Sequence, residues 1–175
     1  MKHTYEIDLS DKGIKELQKG LKDYDKWLNK KMKELCKRLA EIGVKSAEVN
    51  FSSAFYDGIN DVKVEPVKER GNNCFVVKAN GASVLFIEFG AGKFYPDSHP
   101  EGYSNGMIHG TYGKGLGKND YWFYTGQPGN AGGTLAEGHT NTTVTHGNPA
   151  NMCMYDAIRE VEREITRVVK EVFSE

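Results

Sequence analysis

The sequence predicts an α+β fold: a small antiparallel β-sheet packed with a long N-terminal helix and a C-terminal helix, plus a Gly/aromatic-rich insertion. Three observations predict it. Apolar residues recur at three- and four-residue steps over the N-terminal part of the chain and again over its last part. Two short segments between them alternate with period two. Residues 90–148 follow neither period and hold fourteen of the twenty glycines.

With 175 residues the chain is expected to form a single domain, its core at 4–92 and 147–173 and its insertion at 93–146. Charged residues make up 27 % and nearly cancel to a net charge of −1, so the overall field invites neither nucleic acid nor an acidic membrane. Cys36, Cys74 and Cys153 are odd in number and lack a CxxC spacing, which fits reduced thiols better than disulfides or a thiolate zinc site. No signal-like apolar segment opens the chain and no run of eighteen apolar residues occurs, so a cytoplasmic, non-membrane protein is expected. The sequon at Asn141 is then without consequence.

Residues 4–9 alternate and are expected to form a first strand. Ser10 or Asp11 offers a capping oxygen for the helix that follows. Its apolar stripe runs through Ile14, Leu17, Leu21, Tyr24, Leu28, Met32, Leu35, Leu39, Ile42 and Val49. Unbroken from 11 to 49, that helix is roughly 58 Å long at 1.5 Å per residue, against a radius of gyration of about 16 Å for a compact chain of this size. It must therefore bend, with Gly20 and Gly43 as the candidate positions, or extend beyond its own domain. Asp57-Gly58 marks a turn. The segments Asp61–Val67 and Cys74–Ala79 then read as an antiparallel hairpin, with Pro66 marking the end of an edge strand.

The run from Gly81 to Gly92 is apolar except for Glu88. Its length suits a strand or a short helix, and the shared face of Ala82, Leu85, Phe86 and Phe89 favours helix, ended by Gly90 and Gly92. Glu88 then sits where the helix dipole disfavours an anion, so it needs a partner: a backbone N–H of the loop that follows, or a Lys or Arg. The last helix is expected to start with Asn148 as cap and Pro149 in its first turn, and to lie antiparallel or crossed against the first.

A long N-terminal helix, a hairpin and an apolar run ending Glu88-Phe89-Gly90-Ala91-Gly92 resemble the HK97 gp10-like family of tailed-phage neck and tail-completion proteins. So does Pro149-Ala150-Asn151-Met152-Cys153-Met154-Tyr155-Asp156-Ala157, in which Pro149, Ala150, Met154 and Ala157 match the family's second motif. Met152 stands where that motif has Pro, Cys153 where it has an aromatic, and Ala91 where the first motif has Thr. The resemblance covers 4–92 and 147–173. It implies a non-enzymatic virion protein that acts in the neck during head–tail joining or tail assembly. Such a protein self-associates as a ring and docks connector, tail-terminator or tail-tube proteins, in the virion and, during assembly, in the host cytoplasm. Glu88, Phe89, Gly90, Tyr121, Trp122, Pro149 and Met154 are the expected structural or interface positions; no catalytic, cofactor-binding or metal-binding residue is expected.

The insertion has no counterpart in the compact family pattern. Its aromatic residues, among them Phe94, Tyr95, Tyr103, Tyr112 and Tyr121-Trp122-Phe123-Tyr124, argue for an ordered segment. His99, His109, His139 and His146 show no HxxxH or HExxH spacing. Thr140–Thr145, between the last two, reads as a small hairpin or exposed strand. Gly110–Lys118 lacks both the spacing and the Ser/Thr of a phosphate loop. The aromatic run lacks the basic groove that single-strand binding needs, so core or interface is its expected role, and no specific nucleic-acid contact is expected. No serine has a GxSxG context. Cys36, Cys74 and Cys153 are expected to be packing residues, although a helix start at Cys153 would lower a thiol pKa. Two alternatives from other classes are a hydrolase built on the histidine-rich insertion and a host-directed binding module built on its aromatics.

Overall fold

The computed structural model describes Asp8, residues 10–71, 73–92 and 120–174. Apart from Asp8, the strand expected over 4–9 lies outside these residues, as do His99, His109 and the glycine-rich stretch 110–118. The described elements, in order, are α1 (Asp11–Ser52), β1 (Lys63–Glu69), β2 (Phe75–Asn80), α2 (Val84–Phe89), β3 (Trp122–Thr125), β4 (Thr134–Leu135), β5 (Thr142–Thr145) and α3 (Cys153–Phe173). The fold is α+β, as expected, but its described strands form two small antiparallel sheets: the β1–β2 hairpin and a three-stranded sheet ordered β3-β5-β4.

The Ser10 side chain caps α1 by accepting from Gly13 N at 3.2 Å, satisfying one of the first-turn donors that a helix leaves unpaired. The helix then runs for 42 residues without a break, about 63 Å at 1.5 Å per residue. Neither Gly20 nor Gly43 interrupts it. Gly43 marks a three-way contact, where an added Cβ would lie 3.2 Å from methyls of both Val161 on α3 and Val77 on β2. The missing side chain lets three elements meet at one point.

Antiparallel packing of α3 on the C-terminal half of α1 follows from the pairs along its length. Asn50 donates to Cys153 O at 3.0 Å, Arg38 lies 3.6 Å from Glu171, and the Trp27 ring meets Phe173 edge-on at 5.9 Å. Between these pairs sit two apolar clusters. Ala47, Phe51, Ala54, Ile87, Cys153 and Ala157 form one, covered by Val64 and Ala79 of the hairpin. Leu35, Val168 and Val172 form the other. Fully burying Ile87, Val168 or Val172 is worth about 1.5–3 kcal/mol each. Both clusters take their α1 members from Leu35 onward, so the sixteen residues before Trp27 run on past α3, about 24 Å of helix.

Three local readings need correction. Pro66 sits inside β1, at a bulge where the register slips between Glu65 and Lys68; with no N–H to donate, it fits where the ladder is already broken. Cys74 lies in the hairpin turn closed by Cys74 N to Gly71 O, and it is exposed instead of packed. The threonine-rich strand β5 is the central strand of its sheet, with Thr143 and Thr145 fully buried. Their hydroxyls are satisfied locally: Thr143 donates to Gly126 O at 2.6 Å and Thr145 accepts from Gly147 N at 2.9 Å.

Gly43→Leu should force α1 away from α3 and β2 and lower stability by about 1–3 kcal/mol, read as a drop in melting temperature by circular dichroism with helix content kept at low temperature. An unchanged melt would mean that the three-way contact is not tight.

Candidate functional site

The six-residue helix α2 is too short to persist alone, because helix nucleation is costly. Groups outside it hold both of its ends. At the N-terminus the Asp61 carboxylate accepts from Ala82 N at 2.8 Å, from Ser83 N at 2.9 Å and from the Ser83 hydroxyl at 2.5 Å. Those bonds to Ser83, with that to Ala82, stabilise the ionised form and lower the Asp61 pKa to about 2. At the C-terminus three successive carbonyls, which a helix leaves without partners, are satisfied by one returning segment. Asn148 Nδ2 donates to Phe86 O at 2.9 Å, Asn151 N to Ile87 O at 2.9 Å, and Met152 N to Glu88 O at 3.0 Å.

The reverse also holds. Met152, the residue before α3, adopts a left-handed conformation (φ 49°, ψ 41°) and gives no side-chain cap. Glu88 supplies the cap from α2: its carboxylate accepts from Met154 N at 2.9 Å and Tyr155 N at 3.2 Å. A negative charge there also suits the α3 dipole. Glu88 is only 6 % exposed. Burial pushes its pKa up, and the two backbone bonds pull partly against that. The partner of Glu88 is therefore a pair of backbone N–H groups, as one expectation had it, but they belong to the last helix and not to the loop after Gly90.

Between the two helices Ala91 and Asn148 form a two-bond bridge, each N–H donating to the other's carbonyl at 3.0 Å. The insertion thus leaves and re-enters the core at one point. Gly90 (φ 72°) permits the approach, since a Cβ would lie 2.6 Å from Ala150 N. This arrangement also corrects the expected start of α3, which begins at Cys153, four residues after Pro149. Asn148, which looks like a local N-cap, spends its backbone on Ala91 and its side chain on Phe86 O and Pro149 O.

Of the expected positions, Glu88, Gly90 and Pro149 meet in this joint, and the Trp122 ring lies against Gly92 and Gly147 beside it. Phe89 is half-buried. Met154 donates its N–H to Glu88 and packs its side chain on the first apolar cluster. Tyr121, the residue before β3, is 47 % exposed, its ring edge-on to Phe123. Phe123 is 58 % exposed. The aromatic run therefore faces outward more than it fills a core.

Two asparagines that sequence reasoning missed fasten the rest. Asn151 binds the Phe55 backbone at both its N–H (2.7 Å) and its carbonyl (3.0 Å). Asn130, in the second half of the insertion, treats Tyr56 in the same way with its side-chain oxygen and its own N–H, and also reaches Ala54 O. Buried Asp57 adds a bond from Gly129 N at 3.0 Å. Such amide clamps have no periodic signature; their only trace is an Asn in a loop.

Chemically the joint is a structural lock. The Cys153 thiol is pushed up to about 12, first by burial and then by the charges of Glu88 and Asp156, so its place at a helix start does not activate it. His146 Nδ1 lies 2.9 Å from Asp120 O, and the His139 N–H donates to Ala136 O. Among the described residues no three His, Cys, Asp or Glu side chains cluster as metal ligands, and no helix is long and apolar enough to cross a membrane. An apolar groove of about 460 Å³ runs between α1, α3 and β2, lined by Leu39, Phe75, Val77, Met154 and Ile158. Compared with known proteins, the chain matches no family model, no curated protein and no solved structure.

Glu88→Ala strands two N–H groups at the start of α3 and should cost about 1–3 kcal/mol in a denaturant titration; an unchanged midpoint would contradict the cap. Because the folded-state pKa of Glu88 is raised, its contribution is fully present below the ordinary value of 4.5 and is lost as pH rises through the folded value. Wild type should therefore lose stability relative to Glu88→Gln, which cannot ionise, over that window; a constant difference would contradict the shift. In the native protein a thiol reagent should label Cys74 fastest and Cys153 only on unfolding. Rapid labelling of Cys153 would overturn its sealed position.

Proposed function

We propose that the chain is a non-enzymatic structural protein of a tailed bacteriophage or prophage, acting in the neck or tail-completion region as a ring oligomer. Its motifs resemble those of the HK97 gp10-like proteins, and the two stretches that carry the resemblance are the two halves of the Glu88–α3 joint. The observation that carries the reading is the start of α1, which contributes no residue to either described apolar cluster. There Ile14 is 40 % and Leu21 is 52 % exposed, one heptad apart on the same helix. A lone helix of that length is marginal in water, and an apolar stripe on it gains stability by packing on another protein. A second copy provides such a surface: Ile158 and Ile165 on α3 are 56 % and 42 % exposed.

A contact between different patches on successive subunits propagates head to tail and closes into a ring where the rotation permits. Connector, tail-terminator or tail-tube proteins are the partners that such a ring would dock. The exposed Tyr121 and Phe123 favour a second reading, a host-directed binding module, because aromatic side chains dominate interface energetics.

Light scattering after gel filtration should give a mass several times 19.5 kDa, and negative-stain images should show rings. Leu21→Glu should return the protein to monomers with its melting temperature kept. A wild-type monomer, alone and with neck and tail proteins present, would contradict the proposal.

A further inference from the structure

The net charge of −1 hides an asymmetry along the chain. Residues 10–33 carry eight lysines against four acids, and the remainder is acidic. Six of those lysines, Lys12, Lys15, Lys19, Lys22, Lys26 and Lys30, recur at steps of three and four, so on the continuous helix α1 they share one face. At 3.6 residues per turn they fall within an arc of about 80° and extend about 27 Å along the axis. All six are exposed. Lys26 has an ion pair at 3.8 Å with Asp23, and the other five pair with no described residue.

We propose that this lysine ridge is a binding surface for the phosphate backbone of duplex DNA, without sequence preference. A row of like charges at this spacing is self-repelling, and neutralising it with a rigid polyanion releases counterions from the duplex. The ridge covers most of one duplex turn of about 34 Å. It holds no arginine fork to read base edges and no aromatic ring on which unpaired bases stack, so it recognises neither sequence nor single strands. The apolar stripe of Ile14 and Leu21 lies on the other side of the same helix. A helix lying in a membrane surface also sets lysines opposite an apolar stripe. The regular row of about 27 Å, matched to a duplex turn, favours DNA, and the vesicle arm of the test below separates the two. Bound to a duplex, the ridge meets phosphate while the stripe stays available to protein.

Duplex binding does not require the ring, and assembly through the stripe does not require DNA. The test is fluorescence anisotropy of a labelled random-sequence duplex two helical turns long, titrated with the full-length protein. With four to five phosphate contacts, affinity should fall on the order of 10²- to 10³-fold between about 50 and 200 mM salt. Replacing Lys15, Lys19, Lys22 and Lys26 together by Gln should abolish binding at the lower salt, while Arg159→Gln and Arg163→Gln leave it intact. Circular dichroism of all variants verifies the fold. No wild-type binding at low salt, or equal binding by the four-Gln variant, overturns the proposal. Binding to phosphatidylcholine–phosphatidylserine vesicles without binding to the duplex also overturns it, in favour of a membrane surface.

Discussion

The arrangement of this protein depends on two helix ends that complete each other. The last three carbonyls of α2 before Phe89 are satisfied by Asn148, Asn151 and Met152, and the first free N–H groups of α3 are satisfied by Glu88. Neither end has a cap of its own. Burying a carboxylate is costly, and what offsets it here is a pair of charge-assisted bonds plus the positive end of a 21-residue helix. Through this joint α3 is placed at the correct height to lie along α1, and the Ala91–Asn148 bridge closes the neck of the insertion.

The regular elements were legible because they are periodic. The stripe on α1, the alternation of the hairpin and the apolar line of α3 each mark one face of an element. The packed parts of these faces are buried, while Ile14, Leu21, Ile158 and Ile165 stay exposed. Glu88 was legible as an anomaly, a charge within an apolar run. Its partner was not, because a backbone N–H carries no side-chain signature and lies 66 positions further on. The start of α3 was misread for a related reason. Asn148-Pro149 is a good local cap signal, yet its polar groups are committed to Ala91 and Phe86, and tertiary bonding prevailed over local preference. The burial of Thr143 and Thr145 was hidden by their polarity, which each hydroxyl resolves with one short-range bond.

Length separates the two jobs of α1. From Leu35 onward its small and apolar residues, with Gly43 at the crossing point, are used in packing α3 and the hairpin. Before Trp27 the same helix presents an apolar stripe on one side and a lysine ridge on the other. Average composition conceals this division, since the acidic remainder cancels the ridge in the net charge.

The central claim is that Glu88 locks the N-terminus of α3 to α2. Native-state hydrogen exchange at the Met154 and Tyr155 amides tests it most directly. The lock predicts protection equal to that of the α3 interior at Val168, lost selectively at these two amides in Glu88→Ala. Fast exchange of both amides in the wild type, as at a fraying helix end, would contradict it.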